Sequence, residues 1–197
     1  MVVRGMAVAL VGLLLADIAW ARPADDGRER VRRERPARER GAQERARERV
    51  EVEEVLAVSD DQFVVLLRTV AKPMRYLPIW VGESEALAIR LKLDRRHPPR
   101  PMTLNLLETV MRQGDIVLRE IAIDGMRGGV FLGKIKVSRG AKRWSIDSRP
   151  SDAIGLALGK RAPIWVTKSV LNSASFDPED LDNQTSESRP GDLGETL

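Results

Sequence analysis

Apolar and polar residues alternate with a period of two over several short stretches, which is the pattern of half-buried β-strands. The alternation begins at residues 50–58, and a Ser-Asp-Asp-Gln turn follows it. A continuous apolar run at residues 63–70 then predicts a buried partner strand, and residues 76–81 predict a third strand that ends at Gly82. The folded region is therefore predicted to begin with a hairpin and a third strand.

Helical spacing of apolar residues replaces this alternation further along the chain. Residues 83–93 and 103–113 each have a wide apolar face, and the Pro- and Arg-rich residues 94–101 between them predict a loop. Gly114 marks the end of the second helix. A third helix is predicted at residues 151–159, where the pattern is almost entirely apolar.

Strand-like stretches return between and after these helices. Residues 115–123 and 129–137 alternate around a turn at residues 124–128, and residues 142–147 predict one more strand ahead of the third helix. A last strand is predicted at residues 163–166, and residues 169–171 begin a short helix.

These elements predict one α+β domain over residues 50–172, with a mixed, largely antiparallel β-sheet and about three helices. Ahead of it, residues 22–49 alternate arginine and glutamate without an apolar face, and residues 173–197 are acidic and rich in Ser, Asp, Gly and Pro. Both compositions predict disordered charged tails. The alternatives are an arm that binds nucleic acid and a tail that covers a basic site as a mimic of nucleic acid.

Residues 1–21 have the pattern of a secretory signal peptide, with a positive start, an apolar run at residues 7–15 and an Ala-Trp-Ala cleavage site. The protein is therefore predicted to be exported, either to a periplasm or out of the cell. The apolar run is too short to span a bilayer comfortably and Asp17 interrupts it, so no stable membrane insertion is expected after cleavage. An uncleaved anchor is the alternative.

The composition excludes several kinds of site. The 197 residues include no cysteine and one histidine, which excludes disulfides, thiolate metal sites and histidine-rich metal clusters. A metal would have to be a hard cation held by Asp and Glu oxygens. The formal net charge of +4 is compatible with a phosphate-rich partner, although it is also ordinary for solubility.

Charged and hydroxyl side chains are concentrated where the predicted strand at residues 142–147 meets the third helix, in Asp-Ser-Arg-Pro-Ser-Asp. Pro150 disfavours the α conformation for Arg149, and Ser151 or Asp152 can cap the helix. The arginine is therefore expected at a helix N-terminus, where backbone N–H groups favour an anion.

A second stretch, Pro-Arg-Pro-Met-Thr, repeats this arrangement with Arg100 before a proline and Thr103 as the helix cap. We expect the two arginines to face one acidic-rimmed hollow. Pro-Ile-Trp-Val also occurs twice, a weak internal repeat in which Trp80 and Trp165 are expected in the core or a subunit interface. Base stacking by these tryptophans is the alternative.

The motifs, taken in order, resemble the bifunctional nuclease family over about residues 50–172. They are Leu-Pro-Ile-Trp-Val-Gly at 77–82, Glu-Ala-x-Ala-Ile at 85–89, Pro-Arg-Pro-Met-Thr at 99–103, Asp-x-Arg-Pro-Ser-Asp-Ala-Ile at 147–154 and Ala-Pro-Ile-Trp-Val at 162–166. The resemblance implies an α+β domain that forms a homodimer or larger homo-oligomer. It also implies DNA and/or RNA as partners and hydrolysis of their phosphodiester bonds.

The chain departs from the family pattern at two positions. After Arg-Pro-x-Thr the family typically has histidine followed by Asp or Asn, whereas this chain has Leu104 and Asn105. A small alanine is replaced by Gly155. If the histidine acts as a general base or metal ligand, the protein is impaired; if it only packs, leucine can replace it.

Phosphodiester cleavage needs a phosphate anchor, charge stabilisation and an activated water. Arg100 and Arg149 are the candidates for gripping phosphate, and Asp147 and Asp152 are the other candidate catalytic residues. Asp147 and Asp152, with Glu85, are the candidate ligands of Mg²⁺ or Mn²⁺. The alternative is structural: Asp152 pairs with Arg149, Asp147 ends its strand and Glu85 is solvated.

The loop at residues 94–101 adds a candidate nucleic-acid contact. Arg95, Arg96 and His97 lie on it together with Arg100, so it can face phosphate groups. The sequence thus supports two hypotheses, a nuclease of the bifunctional type and a non-catalytic oligomerising or ligand-binding module that keeps the family fold. Leu104 favours the module, and the Asp-x-Arg-Pro-Ser-Asp run favours the enzyme.

Overall fold

Residues 46–178, which are the residues that the computed structural model describes, form seven strands and four helices. In chain order these are β1 (Arg47–Ala57), β2 (Phe63–Thr69), β3 (Tyr76–Val81), α1 (Glu83–Leu93), α2 (Thr103–Gln113), β4 (Val117–Arg127), β5 (Val130–Arg139), β6 (Lys142–Ser148), α3 (Pro150–Lys160), β7 (Ile164–Thr167) and α4 (Lys168–Ala174). The predicted signal peptide, most of the arginine-rich arm and the tail from residue 179 lie outside the described residues.

All seven strands form one sheet in the order β3-β2-β1-β7-β4-β5-β6. The first three strands and β4 to β6 are two antiparallel meanders, and β7 lies between them. β7 is antiparallel to β1 and parallel to β4. The prediction of an α+β domain with a mixed, largely antiparallel sheet is confirmed, and the short helix predicted at residues 169–171 is α4.

Helix α3 lies at the centre of the core. Its buried residues from Pro150 to Ala157 face almost every direction around the helix, which is the property of a helix surrounded by protein. It contacts α1 and α2 on one side and strands β3, β4 and β5 on the other. Because β3 is an edge strand and β5 lies near the opposite edge, the sheet curves around α3.

The turn between β4 and β5 is shorter than the sequence indicates. Gly128 and Gly129 form it with φ angles of 57° and 78°, a pair of left-handed conformations that glycine adopts without a steric cost. Pairing continues to Arg127 opposite Val130, so the predicted turn at residues 124–128 is wrong in its position. The register between β4 and β5 is irregular at Leu118/Glu120 and at Ile123/Gly125. The second irregularity interrupts the alternation of β4 at the start of the predicted turn, although the strand continues to Arg127.

Strand β1 begins at Arg47, inside the segment predicted as a disordered arm. Its first residues pair with β7, Arg47 opposite Thr167 and Arg49 opposite Trp165. The Arg47 guanidinium also stacks over the Trp165 ring at 4.6 Å and bonds to Glu120, with Nη1 2.5 Å from Oε1. Long-range contacts therefore order residues whose local composition indicates disorder.

The folded region also continues beyond its predicted end at residue 172. Helix α4 runs to Ala174, and Phe176 follows it alongside Tyr76. The two residues exchange backbone hydrogen bonds of 2.8 and 2.9 Å, and their rings stack with centroids 5.7 Å apart. The acidic segment therefore starts with residues that belong to the domain.

The two Pro-Ile-Trp-Val stretches occupy different places. Trp80 lies on edge strand β3 with 40% of its surface exposed, whereas Trp165 lies on central strand β7 beneath Arg47. The two copies of the repeat are not neighbours in the sheet, because β1 and β2 separate the two strands. Within residues 46–178, no helix is both long and apolar enough to cross a bilayer.

Candidate functional site

The corner between β6 and α3 has the backbone conformation that its sequence predicts. Arg149 is extended at φ −66° and ψ 145°, and Pro150 is the first residue of α3. Gly133 of β5 permits the close approach of this corner, because a Cβ there would lie 2.8 Å from the Ser148 carbonyl oxygen. The predicted capping of α3 by Ser151 or Asp152 is wrong: no side chain caps α3, and the Asp152 carboxylate bonds to Arg149 instead.

Arg149 is held by two carboxylates. Its Nε and Nη2 donate to Asp152 at 2.7 and 3.0 Å, and its Nη1 lies 2.8 Å from Glu85 of α1. Glu85 reaches the arginine from beside Gly82, where a Cβ would lie 2.7 Å from its Oε2. The hydrogen bonds that Arg149 donates to Asp152, and after them those to Glu85, raise the pKa of Arg149 above its ordinary value. The corner therefore carries two negative charges and one positive charge.

Asp147 faces away from this corner. It pairs with Lys134 across β5 and β6, while its neighbour Ile146 pairs with buried Ile135. Because successive strand residues point to opposite faces of a sheet, Asp147 lies on the face opposite the core. The predicted metal ligands Asp147, Asp152 and Glu85 are thus not brought together.

The divalent-cation site that the sequence predicts is not formed by the described residues. No group of three or more His, Cys, Asp or Glu side chains suited to a metal occurs among residues 46–178. The two carboxylates that do meet, Glu85 and Asp152, already share the Arg149 guanidinium. Glu85 and Asp152 thus form an ion-pair corner with Arg149 and not a three-carboxylate site with Asp147.

Arg100 does not join Arg149 either. It is exposed on the loop between α1 and α2 and makes no side-chain hydrogen bond or ion pair with any described residue. Arg149, the other arginine expected at the shared hollow, is instead paired with carboxylates from α1 and α3. Thr103 is the first residue of α2 rather than its cap, and Asn105 accepts the free N–H of Met102 instead.

A separate pocket of about 600 Å³ lies where the ends of α1 and α3 meet the start of α2, and we call it the basic pocket. It is lined by Ala88, Leu91, Lys92, Leu93, Arg95, Arg96, His97, Pro98, Met102, Asn105, Glu108, Leu158, Gly159 and Arg161. The structure therefore brings together three of the predicted nucleic-acid contacts, Arg95, Arg96 and His97, and leaves the fourth, Arg100, outside the lining.

The basic pocket has an excess of positive charge. Lys92 is paired with Glu108, with Nζ 2.6 Å from Oε1. Arg95, Arg96 and Arg161 form no side-chain hydrogen bond or ion pair with other described residues. Three guanidinium groups without a protein partner around one cavity form a site for an anion.

The backbone at two of these arginines is left-handed. Arg95 follows the end of α1 with φ 55°, and Arg161 ends α3 with φ 54°. A left-handed residue commonly ends a helix, but glycine usually occupies this position. At the end of α3, the bond from the Ala162 N–H to the Ala157 carbonyl at 2.9 Å closes the last turn and directs Arg161 to the pocket.

Four residues that line the basic pocket were not predicted as site residues: Lys92, Asn105, Glu108 and Arg161. The local signal for Arg161 is weak, a Gly-Lys-Arg sequence at the end of an apolar helix, which equally favours a solvated helix terminus. The packing of α3 against α1 and α2 brings Arg161 to the same cavity as the loop after α1.

Comparison with known proteins identifies the family. The family model of the bifunctional nuclease domain matches residues 65–179, more than half of the chain. The chain belongs to the bifunctional nuclease domain family. Two uncharacterized proteins of Mycobacterium tuberculosis, from strains CDC 1551 / Oshkosh and ATCC 25618 / H37Rv, are each 38% identical to it over 116 residues, which is 59% of this chain and 68% of theirs.

The two departures from the bifunctional nuclease pattern meet in space. Leu104 of α2 places its Cδ1 where a Cβ at Gly155 of α3 would lie. Gly155 thus makes room for the leucine that replaces the usual histidine, and the two differences are parts of one packing arrangement. Asn105, which matches the family's Asp-or-Asn position, lines the basic pocket.

Proposed function

We propose that this bifunctional nuclease domain binds DNA and/or RNA and hydrolyses their phosphodiester bonds. The observation that supports the proposal is the basic pocket, where Arg95, Arg96 and Arg161 lack partners among the described residues. Arginine is suited to phosphate because its planar fork can donate two parallel hydrogen bonds. Arg100 and His97, on the same loop, extend this surface.

The Arg149 corner is the proposed location of catalysis. For Arg149 to stabilise charge on a pentavalent phosphate, the phosphate has to replace Asp152 or Glu85 as its partner. Asp152, once released, is placed to accept a proton from water. Arg100 and Asp147 are the other candidate catalytic residues from the sequence, and Asp147 is opposite Lys134 on the neighbouring strand β5. Mg²⁺ or Mn²⁺ assistance is tested directly by adding and chelating metal.

A non-catalytic ligand-binding module is the second candidate function. It is favoured by the saturation of Arg149 with two carboxylates and by Leu104 at the position of the family histidine. In that case the basic pocket binds its ligand and no bond is cleaved.

Self-association and export are further parts of the proposal. Exposed apolar side chains on α2, with Leu106 60% and Val110 57% exposed, support a homodimer or larger homo-oligomer. Light scattering coupled to size exclusion tests this, since a monomer at micromolar concentration would contradict it. Export depends on residues 1–21, and the fate of a tagged chain in cell fractions tests it.

A nuclease assay separates the two candidate functions. The purified full chain is incubated with end-labelled single-stranded and duplex DNA and RNA in Mg²⁺, in Mn²⁺ and in chelator. We expect cleavage by the parent and a loss of about a hundredfold or more in Arg149→Ala and Asp152→Asn, because each removes a group proposed to act in the transition state. Both variants should fold, since exposed ion pairs contribute only about 0–1 kcal/mol.

The control is Arg143→Ala on β6, which makes the same change of net charge as Arg149→Ala at an exposed residue outside both sites. Its cleavage rate should equal that of the parent. Salt-dependent binding without cleavage would establish the module in place of the nuclease. Cleavage that survives in both corner variants would remove the catalytic assignment of Arg149 and Asp152.

A further inference from the structure

We infer that the basic pocket binds one unpaired nucleotide of a single strand, with the phosphate at its arginines and the base against its apolar interior. The inference rests on the proposed function and specifies the form of nucleic acid that this site accepts. The cavity of about 600 Å³ is within the range of about 300–1,000 Å³ that is usual for small-molecule sites. A nucleotide fits a cavity of this size, and a double helix does not.

The basic pocket has a charged part and an apolar part, as a nucleotide does. Arg95, Arg96 and Arg161 are exposed, so they surround the mouth, whereas Leu91, Met102 and Leu158 are half-buried and form apolar interior. A nucleotide has a charged phosphate at one end and a base with apolar faces at the other. A free phosphate would leave the apolar interior unused, and a duplex would keep its bases stacked away from it.

Asn105 supplies a directed donor within the cavity. Its Oδ1 accepts the backbone N–H of Met102 at 3.2 Å, which fixes the orientation of the amide. The Nδ2 group has no partner among the described residues and therefore has two N–H donors for a ligand. Side-chain amides can hydrogen-bond the edges of bases, and the Watson–Crick edges are free to accept such bonds only in unpaired bases.

Because Arg95 and Arg161 have left-handed backbone conformations, their positive charges can be removed by substitution with glycine without changing the backbone conformation. Arg95→Gly and Arg161→Gly each delete a guanidinium at a φ angle, 55° and 54°, that glycine adopts freely. Asn105→Asp retains the acceptor for the Met102 N–H and removes the Nδ2 donor. These three variants should therefore keep the fold, which circular dichroism and thermal unfolding will check.

The experiment measures binding of the full chain to fluorescent eight-nucleotide single strands and to blunt duplexes of the same sequence by anisotropy. Phosphorothioate linkages prevent cleavage during the measurement. We expect single strands to bind at least about tenfold more tightly than duplexes. Adenosine monophosphate should displace them at concentrations where inorganic phosphate does not. Each of the three variants should lose about tenfold in affinity for the single strand, the effect of one charge-assisted or buried hydrogen bond, and Arg143→Ala should lose little.

The outcomes separate this inference from the proposed function. Equal affinity for single strand and duplex, with the arginine variants still impaired, would overturn the nucleotide pocket and leave nucleic-acid binding intact. Displacement by inorganic phosphate as effective as by the mononucleotide would show a plain anion site and also overturn it. Absence of binding to every nucleic acid would contradict both.

Discussion

Leu104 and Gly155 share one space at the contact between α2 and α3. The leucine Cδ1 lies where a Cβ at residue 155 would be, so either residue alone constrains the other. The pattern of the resemblance has histidine at position 104 and alanine at position 155, and these two side chains would pack differently in the same space. Leu104 and Gly155 are therefore complementary in packing.

Gly155→Ala should destabilise the protein by about 1–3 kcal/mol, the usual cost of overpacking a core. In a Leu104→Ala background the same change should instead stabilise by about 0.5–1 kcal/mol, because the methyl group then has room and alanine favours a helix. Urea denaturation of the four proteins measures the coupling. Equal effects of Gly155→Ala in both backgrounds would show that the two side chains do not compete for this space.

At the scale of elements, a charged network fastens the start of β1 to the rest of the sheet. Glu120 of β4 accepts bonds from Arg47 of β1, with Nη1 at 2.5 Å, and from Lys136 of β5, with Nζ at 3.0 Å. Partial burial alone would raise the pKa of Glu120, but the hydrogen bonds from Arg47 and Lys136 outweigh it and lower the pKa below 4.5. The network thus favours the charged carboxylate.

The sign of its pH dependence follows from this lowered pKa. A carboxyl group with a depressed folded-state pKa contributes stability that is complete above about its ordinary value of 4.5 and is lost as the pH falls through the folded-state pKa. Glu120→Gln should therefore cost about 1–2 kcal/mol at pH 7 and less than that at pH 3. Urea denaturation across this pH range measures both values.

Asp60→Asn, at an exposed carboxylate in the turn between β1 and β2, is the matched control and should leave the acid profile unchanged. Carboxylates titrate roughly between pH 6 and pH 3. If the free energies of unfolding of Glu120→Gln and the parent fall in parallel over this range, Glu120 is not responsible for the loss of stability in acid.

At the scale of the whole molecule, the end of the domain is set by Phe176. A chain that stops at residue 172 lacks the end of α4, two backbone hydrogen bonds to Tyr76 and the stacked ring. It should be less stable than a chain that stops at residue 178 by about 2–4 kcal/mol, from about 1 kcal/mol for each bond and for the ring pair. Thermal or urea unfolding of the two shortened chains tests the difference, and equal midpoints would move the boundary back to residue 172.

Local patterns predict most elements of this fold because alternation and helical spacing record which face of each element is buried. They do not reveal that β7 lies between two meanders, because that position depends on contacts between distant segments. The first residues of β1 show the same limit: their arginine and glutamate content indicates disorder, and pairing with β7 overrides it.

The sequence predicts only those parts of the candidate site whose residues are close together along the chain. Pro150 fixes the extended Arg149, and Arg95, Arg96 and His97 are neighbours in sequence. Asp147 points to the sheet face opposite that of its neighbour Ile146, which pairs with buried Ile135, so sequence proximity to Asp152 does not bring the two carboxylates to one face. Arg161 and Asn105 reach the basic pocket only through the packing of three helices, so no local pattern could identify them.

Arg75 links the two ends of the described chain. It donates to Glu48 at 3.4 Å, two residues after Ala46, and to Asn172 at 2.8 Å, while the Lys168 N–H donates to the Ala46 carbonyl. The polypeptide therefore enters and leaves the domain at adjoining points. Joining residues 46 and 178 through a short glycine-serine bridge and reopening the chain at the Gly128–Gly129 turn would yield a circular permutant with the same sheet order.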